Sequence, residues 1–79
     1  MAHSQLRRHV HDLVAGYLQE LGDTETNGLY EKVINEVEPA ILEATIQHTN
    51  GNQSRAARIL GMTRSTLRKR LARHGIKSG

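Results

Sequence analysis

Apolar side chains recur along this chain at the three-and-four spacing of an α-helix, over nearly its whole length, and that regularity confines it to an all-α fold. Leu6, Val10, Leu13, Val14, Tyr17, Leu18 and Leu21 share one helical face, which predicts an amphipathic helix over 5–21 with Ser4 as its cap. The segment Gly22 to Gly28 holds no apolar residue and is expected to be a loop, with Asn27 placed to cap the next helix. From 29 to 48 a broader stripe follows, formed by Leu29, Tyr30, Val33, Ile34, Val37, Ile41, Ala44 and Thr45, with Leu42 and Ile46 extending it sideways. A helix apolar over so much of its circumference needs neighbours on more than one side. Pro39 lies within it and is expected to kink the helix, or to break it where packing is weak.

Thr49-Asn50-Gly51 ends that helix, since Asn and Gly tolerate the left-handed conformation of a C-terminal cap. Asn52 caps a short helix over 53–60, with Ala56, Ala57 and Leu60 inward. Gly61-Met62-Thr63 is a three-residue turn, and a last helix over 64–73 keeps Leu67 and Leu71 inward. His74-Gly75-Ile76 closes it as a glycine cap with a trailing apolar contact.

Seventy-nine residues allow a single domain, and a chain this short buries only roughly 60 to 65% of its unfolded surface. It has no Cys, Trp or Phe, and Tyr17 and Tyr30 are its aromatics. With no disulfide and no evident metal, oligomerisation is the remaining route to a sufficient core, so a homodimer is expected, with 5–48 as the dimerisation core. The absence of cysteine fits a reducing cytoplasm. No stretch approaches the ~20 apolar residues of a membrane span, and the start MAHSQLRRH is no signal peptide, so no membrane partner is expected.

Charge divides the chain sharply. From Asn50 to Gly79 stand eight bases (Arg55, Arg58, Arg64, Arg68, Lys69, Arg70, Arg73, Lys77) and no acid. The first 49 residues hold all eight acids against Arg7, Arg8 and Lys32, so the halves carry +8 and −5 within a total of +3. Such asymmetry points to a polyanion.

Two short helices joined by a glycine-containing turn make a helix-turn-helix over 52–76, whose second helix enters the DNA major groove. Ala56 and Ala57 let the helices cross closely, and Gly61 supplies positive φ for the turn. Arg64 opens the second helix, where side chains reach base edges, and suits bidentate pairing with guanine; Arg68, one turn on, is the second reader. Lys69, Arg70 and Arg73, with the hydroxyls of Thr63, Ser65 and Thr66, suit phosphates, although Arg70 sits at an angle that equally borders the core. Asn52, Ser54 and Arg55 open the preceding helix, where free amides and the dipole favour a phosphate.

Other chemistry finds less support. His9 and His11, two apart on a helix, point away from each other and do not chelate; His48 and His74 sit near helix C-termini, where a partly charged imidazole suits the dipole. Glu31, Glu36, Glu38 and Glu43 are scattered along one helix with no cleft-forming element, and no nucleophile, phosphate loop or ligand set is present. No enzyme, metal or cofactor is expected. A basic helix is also an ordinary solvated face, and a helical adaptor whose basic tail binds an acidic protein or RNA is the reading from a different class.

The stretch LYEKVINEVEPAILEATIQHTNGNQSRAARILGMTRSTLRKRLARHGI, residues 29 to 76, closely resembles Fis, the factor for inversion stimulation, a bacterial nucleoid-associated protein family. GNQSRAA and STLRKRL are the most telling segments, and LRRHVHDLVAGYLQEL with Asn27-Gly28-Leu29-Tyr30-Glu31 fits the same family. The helix-turn-helix alone is similar to the DNA-binding ends of NtrC-type activators; a detached domain of that kind is the second reading, against which the Met1 start and complete first helix speak.

The Fis resemblance implies an intertwined four-helix homodimer that binds degenerate AT-rich double-stranded DNA, bends it and regulates transcription from the bacterial nucleoid. In that family the recognition helices sit closer than the ~34 Å between successive major grooves. The duplex must therefore bend, at a cost on the order of 1 to 6 kcal/mol. The family's DNA contacts carry over as Asn52, Ser54, Arg55, Thr63, Arg64, Thr66, Arg68, Lys69, Arg70 and Arg73. Thr63 stands where the best-known members have Asn, Ala72 where they have Lys, and Pro39 one position early. Only Met1 to Gln5 precede the first helix, so the β-hairpin arm that meets DNA invertases is not expected, nor is recombinase activation; RNA polymerase is a further candidate partner.

Overall fold

The computed structural model describes residues 3–22 and 27–78, with side chains from Gln5 onward. Four helices follow in order: α1 (His3–Leu21), α2 (Leu29–His48), α3 (Gln53–Leu60) and α4 (Arg64–Arg73). No strand occurs among the described residues. Met1, Ala2, the loop segment 23–26 and Gly79, on which part of the connecting-loop expectation falls, lie outside them.

Two of the expected helix caps, Ser4 and Asn27, differ from expectation, whereas Asn52 caps α3 as expected. α1 begins at His3, so Ser4 is its second residue rather than its cap; periodicity locates packed residues, not fraying ends. The cap of α2 is Gly28, not Asn27: at φ 75° and ψ 17° its backbone is left-handed, a conformation glycine adopts without strain. Its carbonyl accepts from Lys32 N at 3.0 Å, and Gly28 itself brings no side-chain cap. Of the two outcomes expected at Pro39, the break does not occur, because α2 runs unbroken from Leu29 to His48. Proline has no N–H, so the Asn35 carbonyl one turn earlier lacks its helical donor.

A small core sits where α2, α3 and α4 meet: Leu42, Ile46, Ala56, Ala57, Leu67 and Leu71, with Leu60, Met62 and Ile76 at its edge. Leu42 and Leu67 are its largest fully buried side chains, each stabilising by roughly 1.5 to 3 kcal/mol. The face of α2 buried within the subunit is therefore the Leu42–Ile46 edge, which the periodicity treated as a flank. The main stripe is left half-buried or open, with Tyr30 75% and Ile41 49% exposed.

The joint between α2 and α3 is tightly built. Asn50 (φ 54°) and Gly51 (φ 84°) are consecutive left-handed residues, and Gly51 N donates to Ile46 O at 2.9 Å. Thr49 is buried, and its hydroxyl lies 3.2 Å from the Ile46 carbonyl and 3.1 Å from that of Asn52. Having one proton, it donates to one of these at a time.

α1 packs differently. Val10, Leu13, Val14 and Tyr17 form one wall of an open apolar trough whose other wall is Leu29, Val33 and Val37 of α2. Leu6 remains 64% and Leu13 62% exposed. The radius of gyration is 15.1 Å, against about 12 Å for a compact chain of this length.

Candidate nucleic-acid interface

The interface is assembled by two capped helices and one turn. Asn52, in extended conformation, accepts from Arg55 N through Oδ1 at 3.0 Å and so fixes the start of α3. α3 ends at Gly61 (φ 77°, ψ 33°), and Met62 N reaches back to Ala57 O at 3.0 Å, a glycine-terminated cap that reverses the chain within three residues. A Cβ at Gly61 would meet no neighbour, so backbone conformation rather than space selects glycine here.

Thr63 caps α4: its Oγ1 accepts from Thr66 N at 3.0 Å, and its hydroxyl proton is directed to Thr66 Oγ1, also at 3.0 Å. The Thr63 hydroxyl is thus engaged in the cap, whereas Thr66 keeps its own proton to donate. Spacing places Thr63 in the turn as a phosphate contact; a Thr directly before a helix start is the local signal for a cap.

Leu67 and Leu71, one turn apart, pin α4 with 0% and 3% exposure. Ala56 at 0% and Ala57 at 3% allow that close crossing. The open side of α4 bears Arg64, Ser65, Arg68, Lys69 and Ala72 along one shallow groove open to solvent. Asn52, Ser54, Arg55, Thr63 and Arg73 are exposed as well, and Thr66 is half-buried. The structure therefore brings both expected readers and Lys69 onto one surface.

Arg70 differs from the other expected contacts in being paired with an acid of α2. Its Nη1 donates to Glu38 Oε2 of α2 at 2.6 Å, and the His74 ring nitrogen Nε2 bonds Glu38 Oε1, also at 2.6 Å. The His74 bond and the Arg70 guanidinium hold the Glu38 carboxyl below its ordinary range, against the opposing effect of partial burial. The sequence shows Glu38 only as one of four acids scattered along a helix and His74 only near a helix end; nothing local marks partners 32 and 36 residues apart.

A further pair among the described residues, His11 Nδ1 with Asp12 Oδ1 at 3.1 Å, is exposed and of the kind that adds little. No group of three or more metal-ligating side chains converges among the described residues, and no helix there is long and apolar enough to cross a membrane.

Two short helices at a glycine turn, the second pinned by leucines and basic on its open face, define a helix-turn-helix protein. The family described as bacterial regulatory protein, Fis family, matches residues 33–74, just over half of the chain, and the chain belongs to that family. It is 45% identical over 73 residues to a putative Fis-like DNA-binding protein of Xylella fastidiosa (strain 9a5c), covering 92% of this chain and 81% of the relative. It is also 45% identical over 71 residues to DNA-binding protein Fis of Glaesserella parasuis and of Aliivibrio fischeri (strain ES114), covering 90% of this chain and 72% of each. A family of regulatory proteins accords with the non-enzymatic reading.

Proposed function

We propose that this chain is a homodimeric, nucleoid-associated DNA-binding protein that bends degenerate AT-rich duplexes and regulates transcription. The observation that carries the DNA reading is the open face of α4, where Arg64, Arg68 and Lys69 stand together in a 30-residue segment without an acid. The names of its relatives, DNA-binding protein Fis, support it.

Arg64 and Arg68 read guanine edges in the major groove. Lys69 and Arg73, with Thr66 and the start of α3 at Asn52, Ser54 and Arg55, hold the phosphates. Thr63 contributes by capping the recognition helix. The homodimer reading rests on the apolar trough and the open stripe of α2, which a second copy would cover. Bending follows where two recognition helices lie closer than the ~34 Å between major grooves, and sequence preference then comes largely from the deformability of uncontacted base pairs.

Titration against duplex DNA tests the reading. Six to ten phosphate contacts predict a loss of about 10³ to 10⁵ in affinity between 50 and 200 mM salt; flat salt dependence overturns it. Arg64→Ala should cost about 1 to 3 kcal/mol and relax site preference, whereas Lys69→Ala should weaken all sites alike.

A further inference from the structure

We infer that Glu38 is a positioning residue for DNA recognition: from α2 it fixes the roll of α4 about its own axis and holds Arg70 away from the phosphates. This rests on the DNA-binding reading above.

The recognition helix is attached to its neighbours through a narrow apolar ridge, Leu67 and Leu71. Apolar burial is non-directional, so a ridge two leucines wide resists separation far better than rolling. Roll matters here, because Arg64 and Arg68 lie on one flank of that ridge at helical spacing, and turning the helix re-aims both together. On the other flank stand Arg70 and His74, one turn apart. Each bonds a different oxygen of the same carboxylate, at 2.6 Å. Charge-assisted hydrogen bonds are directional, and two of them to separate atoms define an orientation that one would leave free.

The surroundings keep this clamp in place. The Glu38 side chain is 20% exposed and that of His74 8%, so water competes little for the His74 bond; Arg70, at 41%, is the outer member. Among the described residues Glu38 is the only acid paired with a base of the acid-free segment. It also sits on the helix proposed to form the dimer core, so it ties the reading surface to the element that would set the spacing of two such surfaces.

The test uses the full-length chain, a duplex selected from a random pool by the unaltered protein, and a scrambled duplex, each titrated from 50 to 200 mM salt. Glu38→Gln keeps the side chain's size but removes its charge. It should lower the ratio of selected to scrambled affinity roughly tenfold, the scale of one charge-assisted hydrogen bond. It should also steepen the slope of log affinity against log salt by about 1 to 2, because each dimer then offers two released Arg70 side chains to phosphate. Arg70→Ala, at a half-exposed position, should lower the ratio too but leave the slope unchanged.

A purely structural Glu38 would weaken both duplexes in step with the folded fraction followed by circular dichroism, with no change of slope, and that result overturns the inference. So does a shallower slope in Arg70→Ala, which would put Arg70 on a phosphate in the unaltered protein. Failure of the unaltered protein to bind either duplex removes the DNA reading itself, and this inference with it.

Discussion

The two ends of α2 live in different surroundings. Its C-terminal half closes against α3 and α4 within one chain, and Leu42, Ile46, Ala56, Ala57, Leu67 and Leu71 are all nearly inaccessible to water. Its N-terminal half and α1 share an apolar trough that remains open, and Leu6, Leu13 and Tyr30 in this region are each more than half exposed. The difference shows that the helix-turn-helix shares a closed core with the C-terminal half of α2, whereas α1 and the N-terminal half of α2 leave an apolar surface open. A second copy is the occupant proposed above.

The comparison can be broken most forcefully at Leu13. If that residue stays at a free surface, Leu13→Asp costs within about 0.5 kcal/mol. If a partner chain buries it, the unpaired charge costs about 3 to 5 kcal/mol and the dimer dissociates. We expect dissociation, read by sedimentation at micromolar concentration. Next in size is Leu67→Ala, which empties a fully buried site of the helix-turn-helix and should cost about 2 to 5 kcal/mol in chemical denaturation. A cost near zero would show that the helix-turn-helix does not depend on the core it shares with α2.

The smallest effect belongs to acid. Glu38 has its folded-state pKa below the ordinary 4.5, so its pairing adds stability that is fully present above that value. The contribution is lost as pH falls through the lowered folded value. The melting temperatures of the unaltered protein and of Glu38→Gln should therefore differ near neutrality and converge in acid.

The helix-turn-helix was the most legible part of the sequence. Asn52, Gly61 and the apolar pairs Ala56–Ala57 and Leu67–Leu71 are local signals, and α3 and α4 span 53–60 and 64–73 as their spacing predicts. The two arginines expected to read bases stand on the open face for the same reason, since helical period alone separates them from the leucines. Less legible was which apolar face of α2 the subunit itself would bury. Periodicity finds the direction of hydrophobicity but not its owner, and here the stronger stripe was the one left open while Leu42 and Ile46 were covered. Least legible was Glu38, because a carboxylate among scattered acids resembles a solvated face until the fold brings Arg70 and His74 to it.

The joint at Thr49 to Gly51 makes α2 a lever. Its short arm ends on the helix-turn-helix, its long arm reaches the proposed dimer seam, and the corner is braced by two left-handed residues and a buried hydroxyl. In a molecule 45 Å along its longest axis, a small angular change at that corner is magnified in proportion to distance. In the bending reading, the curvature imposed on a duplex could thus be retuned by one substitution at the corner, leaving every DNA-facing side chain as it is.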